Sequence, residues 1–81
     1  MKPLTRRQRQ VLFLAAAGNT NARIAAQLGN SAHSVAEILT AAYRSLGARD
    51  RTHAVVLAIW SGQISPADLA TITQPASQEA A

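Results

Sequence analysis

The sequence predicts an all-α fold: a helix-turn-helix domain of four short helices, followed by a short extra C-terminal helix. Three observations predict it. Capping residues recur just ahead of apolar stripes at helical spacing, and a glycine follows each of the first four stripes. No alternation of apolar and polar residues survives four positions, so there is no strand signal. The composition is rich in Ala, which favours helix and leaves thin side chains to build a shallow core.

The elements follow in order. Thr5 is an N-cap, and Gln8 three residues later closes a capping box. Val11, Leu12, Leu14 and Ala15 supply the stripe, and Gly18-Asn19 stops the helix with Gly18 in the left-handed region. Thr20 caps a short second helix whose inward face is Ile24, Ala25 and Leu28, and Gly29-Asn30 breaks the chain again. Ser31 caps a third helix that runs to about Leu46. Its residues Val35, Leu39, Ala42 and Leu46 trace a single stripe. Gly47 ends it, and Ala48 to Asp50 make a loop. A fourth helix runs from about Arg51 to Ser61, closed by Gly62. Ser65-Pro66-Ala67-Asp68 reads as a fifth start, from which Leu69 and Ile72 dock back onto the domain. The expected organisation is one domain over residues 1–64, a short helix over 65–72 and a disordered tail over 73–81.

The charge narrows the function. The 81 residues carry 8 Lys and Arg against 4 Asp and Glu, a net +4. Over residues 1–62 all eight cations face only Glu37 and Asp50, eight against two, or +6. A compact basic domain points to a polyanion, most often nucleic acid. Without cysteine, disulfides and thiolate metal sites are excluded. The longest apolar run, Ala54 to Trp60, falls far short of the roughly 20 residues that span a bilayer. No signal-peptide core follows Met1, so a cytoplasmic protein without a membrane partner is expected. His33, His53, Glu37, Asp50 and Asp68 are too few and too scattered for a catalytic constellation. No enzyme activity, cofactor or metal is expected.

Gly29-Asn30-Ser31 joins the second and third helices in the manner of a helix-turn-helix. In that motif the N-terminal half of the second helix of the pair enters the major groove. The face opposite Val35 and Leu39 carries His33, Ser34, Ala36, Glu37, Thr40 and Ala41, small and polar enough for a groove to accept.

An ordered set of residues resembles the LuxR-type (GerE-like) helix-turn-helix domain of bacterial transcription regulators. It comprises Leu4-Thr5-Arg6-Arg7-Gln8-Arg9-Gln10-Val11-Leu12, then Ala16-Ala17-Gly18, Thr20-Asn21, Ile24-Ala25, Leu28, Ser31 and Val35. Tyr43-Arg44-Ser45-Leu46-Gly47-Ala48, Arg51 and Ala54-Val55 complete it, so the resemblance covers residues 4 to about 64. It implies four helices, the third reading the major groove and the fourth making a two-fold dimer contact. On this footing Ala36, Glu37 and Thr40 are expected to read base edges. Thr20, Asn21, Arg23, Ser31, His33, Ser34, Arg44, Arg49 and Arg51 are expected to hold the DNA backbone. The domain looks free-standing, as in short phage or bacterial regulators.

Departures from the family pattern fall on the DNA-facing side. Gln8 replaces a common Glu and still closes the capping box. Arg23 replaces a Glu near a helix start, where it is either a mild defect or a phosphate contact. Ala36, Ile38 and Ser45 stand where the family often has Lys, His and Lys, which predicts weaker DNA binding. Glu37 has three readings: it accepts from a cytosine amine, it pairs with a neighbouring Arg or faces water, or it marks a face that no longer binds DNA. His33 is expected at phosphate or solvent rather than metal, no ligand pair being read at i+4. Thr40 touches a base edge or is merely exposed, and His53 is a polar residue in the first turn of its helix.

The fourth helix is apolar all round. Ala54, Leu57 and Ala58, supported by Val55, are expected in the core. Val56, Ile59 and Trp60 either meet a second copy of the chain or are covered by residues 65–72. The expected function is a sequence-specific transcription regulator that binds double-stranded DNA as a homodimer. The alternative is a protein-interaction module on the same scaffold, binding a partner in the transcription machinery.

Overall fold

The computed structural model describes residues 2–73, apart from the side chains of residues 69, 72 and 73. It contains α1 (Arg6–Ala16), α2 (Asn21–Leu28), α3 (Ala32–Leu46), α4 (Arg51–Trp60) and α5 (Pro66–Thr73), with no strand among the described residues. None of these helices is long and apolar enough to cross a membrane.

The helices begin where side chains can take up orphan backbone donors. Thr5 Oγ1 accepts the Gln8 N–H at 3.1 Å and Gln8 Oε1 accepts the Thr5 N–H at 3.1 Å, a complete capping box. Thr20 caps α2 and Ser31 caps α3 through the N–H groups of Arg23 and Ser34. Ser65 and Asp68 cap each other's backbone at the start of α5.

Helix α4 starts at Arg51 as expected, with a cap that the sequence reading did not identify. Asp50 ends the expected loop and is also the N-cap, its Oδ1 accepting the His53 N–H at 2.8 Å. His53 in turn accepts the Arg49 N–H on Nδ1 at 3.1 Å. The imidazole reaches back one residue beyond the N-cap, to Arg49 rather than Asp50, so this is not a capping box and its usual signature is missing from the sequence.

Between α2 and α3 the chain turns at Gly29, whose φ of +70° lies in the left-handed region that a side chain disfavours. This tight reversal sets α3 against α2, and α3 also packs on α1 and α4. The core lies between these four helices. Leu12, Ile24, Val11 and Val35 are fully buried, and Leu39, Ala42, Leu46, Ala54 and Ala58 close around them. Leu57 and Val55, expected in the core, are half-buried at its margin, so the two alanines carry the α4 contact.

The core extends past α4. Gln63 and Ile64 both return their N–H groups to the Ala58 carbonyl, which turns the fully buried Ile64 side chain inward. The N-terminal arm meets this turn. Leu4 is buried and its N–H donates to Gln63 Oε1, while the Lys2 N–H donates to the Ser45 carbonyl at 2.8 Å.

Among the described residues α5 makes no extensive contact with the other four helices, and its Asp68 lines an open cavity together with Arg6, Arg9 and Phe13 of α1. It does not cover α4, where Val56 and Trp60 remain 56% and 80% exposed. Thr73, expected to begin the 73–81 tail, is instead the last residue of α5; the rest of that expected tail, and the question of whether Leu69 and Ile72 dock back, lie outside the described residues.

Candidate nucleic-acid interface

Two stripes run along α3, offset by two residues. Val35, Leu39, Ala42 and Leu46 point into the core, and His33, Glu37, Thr40 and Arg44 are exposed. A two-residue offset on a helix is a rotation of about 200°, so burying one stripe necessarily presents the other. His33, Ala36, Glu37, Thr40, Ala41 and Arg44 line one shallow open groove of about 380 Å³, and every one of them belongs to α3. No other described element lies over it. The three residues expected at base edges, Ala36, Glu37 and Thr40, share this surface with His33 and Arg44.

Glu37 has a partner, and it is not an arginine. His33 Nε2 lies 3.6 Å from Glu37 Oε1, with the two side chains 83% and 69% exposed. The sequence expectation that His33 has no acid partner at i+4 is therefore incorrect, because Glu37 stands four residues on. A contact this long and this open to water, made by an imidazole rather than a permanent cation, adds little to stability. The carboxylate is thus held loosely and can be drawn to another donor. No group of three or more metal-ligating side chains occurs among the described residues.

The residues expected at the DNA backbone divide into clusters. At the start of α3, the Ser31 hydroxyl donates to the Ser34 hydroxyl at 3.0 Å while accepting the Ser34 N–H. At the start of α2, Thr20 Oγ1 is taken by the cap. Arg51, the first residue of α4, reaches across to the same place. Its Nη1 donates to the Asn19 carbonyl at 3.2 Å and its Nη2 to Asn21 Oδ1 at 2.6 Å. This guanidinium is half-buried and already engaged, so Arg51 holds the α2 start and the α4 start together. Arg23 and Arg49 are exposed nearby in sequence, one on each of these helix starts. Neither α2 nor α4 has an acid in its first turn. Cations at two helix N-termini add to the positive ends of the helix dipoles, a field that favours an anion such as phosphate.

At the α4 start the carboxylate of the capping Asp50 offsets part of this field, whereas the first turn of α2 holds no acid. Asp50 serves as a cap, and Asp68 is tied to Ser65. The Ser65 N–H and hydroxyl hold the Asp68 carboxyl below its ordinary value, with the charge of Arg9 adding a smaller push in the same direction. Ile38, at a position expected to be polar in the family pattern, is half-buried against the core and strengthens packing instead.

On α4, Val56 and Trp60 project outward, whereas Ile59 is half-buried against the core. The three residues expected at a partner surface are thus two outward anchors and one at the margin. Sequence reasoning missed Asn19, whose carbonyl anchors Arg51 from 32 positions away. No local pattern carries that signal.

Residues 2–58 match a protein family described as bacterial regulatory proteins, luxR family. No curated protein and no solved structure matches the chain.

Proposed function

Because the chain belongs to the LuxR family of bacterial regulatory proteins, whose domain is a DNA-binding helix-turn-helix rather than an enzyme, we propose that it is a sequence-specific transcription regulator reading duplex DNA with α3. The observation that carries this reading is the uncovered stripe of His33, Glu37, Thr40 and Arg44, backed by a fully apolar stripe that fixes its direction. In this reading Ala36, Glu37 and Thr40 meet base edges in the major groove. Thr20, Asn21, Arg23, Ser31, His33, Ser34, Arg44, Arg49 and Arg51 position the sugar-phosphate backbone, Arg51 chiefly by bracing Asn21. Two copies associate through Val56 and Trp60 of α4, with Ile59 at the margin, and address half-sites about one helical turn apart. Such a protein works in the cytoplasm, where the duplex is.

A mobility-shift titration over random duplexes tests it. Binding is expected at low salt, weakening as salt rises. No shift at about 10 μM even at low salt removes the reading, because non-specific binding alone appears by then. That result would favour the second reading, a protein-interaction module. Its supporting observations are the acidic Glu37 in the α3 groove and the uncovered Val56 and Trp60.

A further inference from the structure

From Ala32 to Leu46 the only Lys or Arg is Arg44, which closes the exposed stripe of α3. The N-terminal arm brings a second cation to the same place. The Lys2 N–H donates to the Ser45 carbonyl at 2.8 Å, and two residues later Leu4 is buried with its N–H on Gln63. The arm is therefore anchored at both positions, and the Lys2 side chain leaves it exposed. Lys2, Arg44, Ser45, Leu46 and Gly47 line an open groove of about 340 Å³ with two cations, one hydroxyl and no acid.

We propose that Lys2 and Arg44 form a cradle for a phosphodiester group of the duplex, so that the N-terminal arm supplies a backbone contact at the end of α3. The inference rests on the DNA-binding reading above and adds to it a residue from outside the helix-turn-helix. Two like charges lining one groove repel, and a bound phosphate converts that repulsion into attraction for both. The hydroxyl of Ser45 adds a donor of the kind phosphate oxygens accept. A different role for the cations is to complement the negative end of the α3 dipole. That end is already capped, because the Ser45, Arg44 and Tyr43 carbonyls accept the N–H groups of Lys2, Gly47 and Ala48. Backbone donors thus meet those carbonyls whatever side chain stands at position 2.

The test compares Lys2→Gln, Lys2→Arg and Arg7→Gln in the full chain, with duplex affinity measured across a salt series. Arg7 lies on the exposed side of α1, bonded to Gln10, and its loss matches the charge change of Lys2→Gln. Lys2→Gln is expected to weaken binding about five- to tenfold near 0.1 M salt and to lower the salt slope by about 0.9. Lys2→Arg should stay close to the parent chain, and Arg7→Gln should change affinity less than about twofold. The thermal midpoint of Lys2→Gln should be unchanged, since its backbone N–H is retained. An unaltered affinity and slope for Lys2→Gln, while the parent binds, overturns the cradle alone. Equal losses in Lys2→Gln and Arg7→Gln also overturn it, by assigning the effect to net charge. A parent chain that binds no duplex overturns both the cradle and the reading beneath it.

Discussion

The side chain of Arg51 joins two helix starts that the sequence separates by 30 positions. Its hydrogen bonds go to a carbonyl and a side-chain amide, not to a carboxylate, so the guanidinium keeps its full positive charge at the rim. Arg51→Met preserves the aliphatic stem and removes both bonds. We expect a loss of about 1–2 kcal/mol in denaturant unfolding, with a further loss of DNA affinity because Asn21 is no longer braced. Glu37 is the other residue whose contacts matter most. Its weak contact with His33 leaves the carboxylate available to a cytosine amine. Glu37→Ala is expected to relax preference at one base pair by about 1–3 kcal/mol, read by selection of bound duplexes from a random pool. A uniform rise in affinity across sequences would instead show that the carboxylate only repels phosphate.

Each helix has its own dependence on its cap, and α5 is the most exposed case. Among the described residues it has no extensive contact with another helix, and its first turn is held by the reciprocal bonds of Ser65 and Asp68. The Asp68 carboxyl is held below its ordinary value of 3.8 by those bonds. A lowered folded value means the stabilisation is fully present above that ordinary value and is lost as pH falls through the lowered one. Amide exchange at Ser65 and Asp68 should therefore accelerate, beyond the intrinsic effect of pH, on acidification below about pH 4. Asp68→Asn should abolish that added dependence. The caps of α1 and α2 rest on hydroxyls that do not titrate in this range, and their amides serve as internal controls.

For the molecule as a whole, the Ala-rich core leaves little apolar surface to spare, yet Trp60 stays 80% exposed. With Val56 one turn earlier, it supports the proposed association surface on α4. Trp60→Ser is expected to leave monomer unfolding within about 0.5 kcal/mol of the parent, because almost nothing packs on the ring. In sedimentation, the same substitution should shift the chain towards monomer. A change in stability without a change in association would show that Trp60 supports the fold rather than a partner. Neither outward residue lines the α3 groove.

The order and the inward faces of the helices were legible in the sequence because they depend on local rules. Thr5, Thr20 and Ser31 accept nearby N–H groups, Gly29 turns where φ is positive, and Val35, Leu39, Ala42 and Leu46 recur at the helical period. The outward stripe of α3 followed from the inward one, since both are set by one rotation per residue. What the tertiary structure decided are contacts between distant parts of the chain: Arg51 on Asn19 and Asn21, Lys2 on Ser45, Leu4 on Gln63, and the choice of the two alanines rather than Leu57 as the innermost residues of α4. The physical reason is that periodicity fixes only which side of a helix is apolar. How closely two backbones approach, and which loops that approach brings within hydrogen-bonding distance, depends on the packing of all the helices at once.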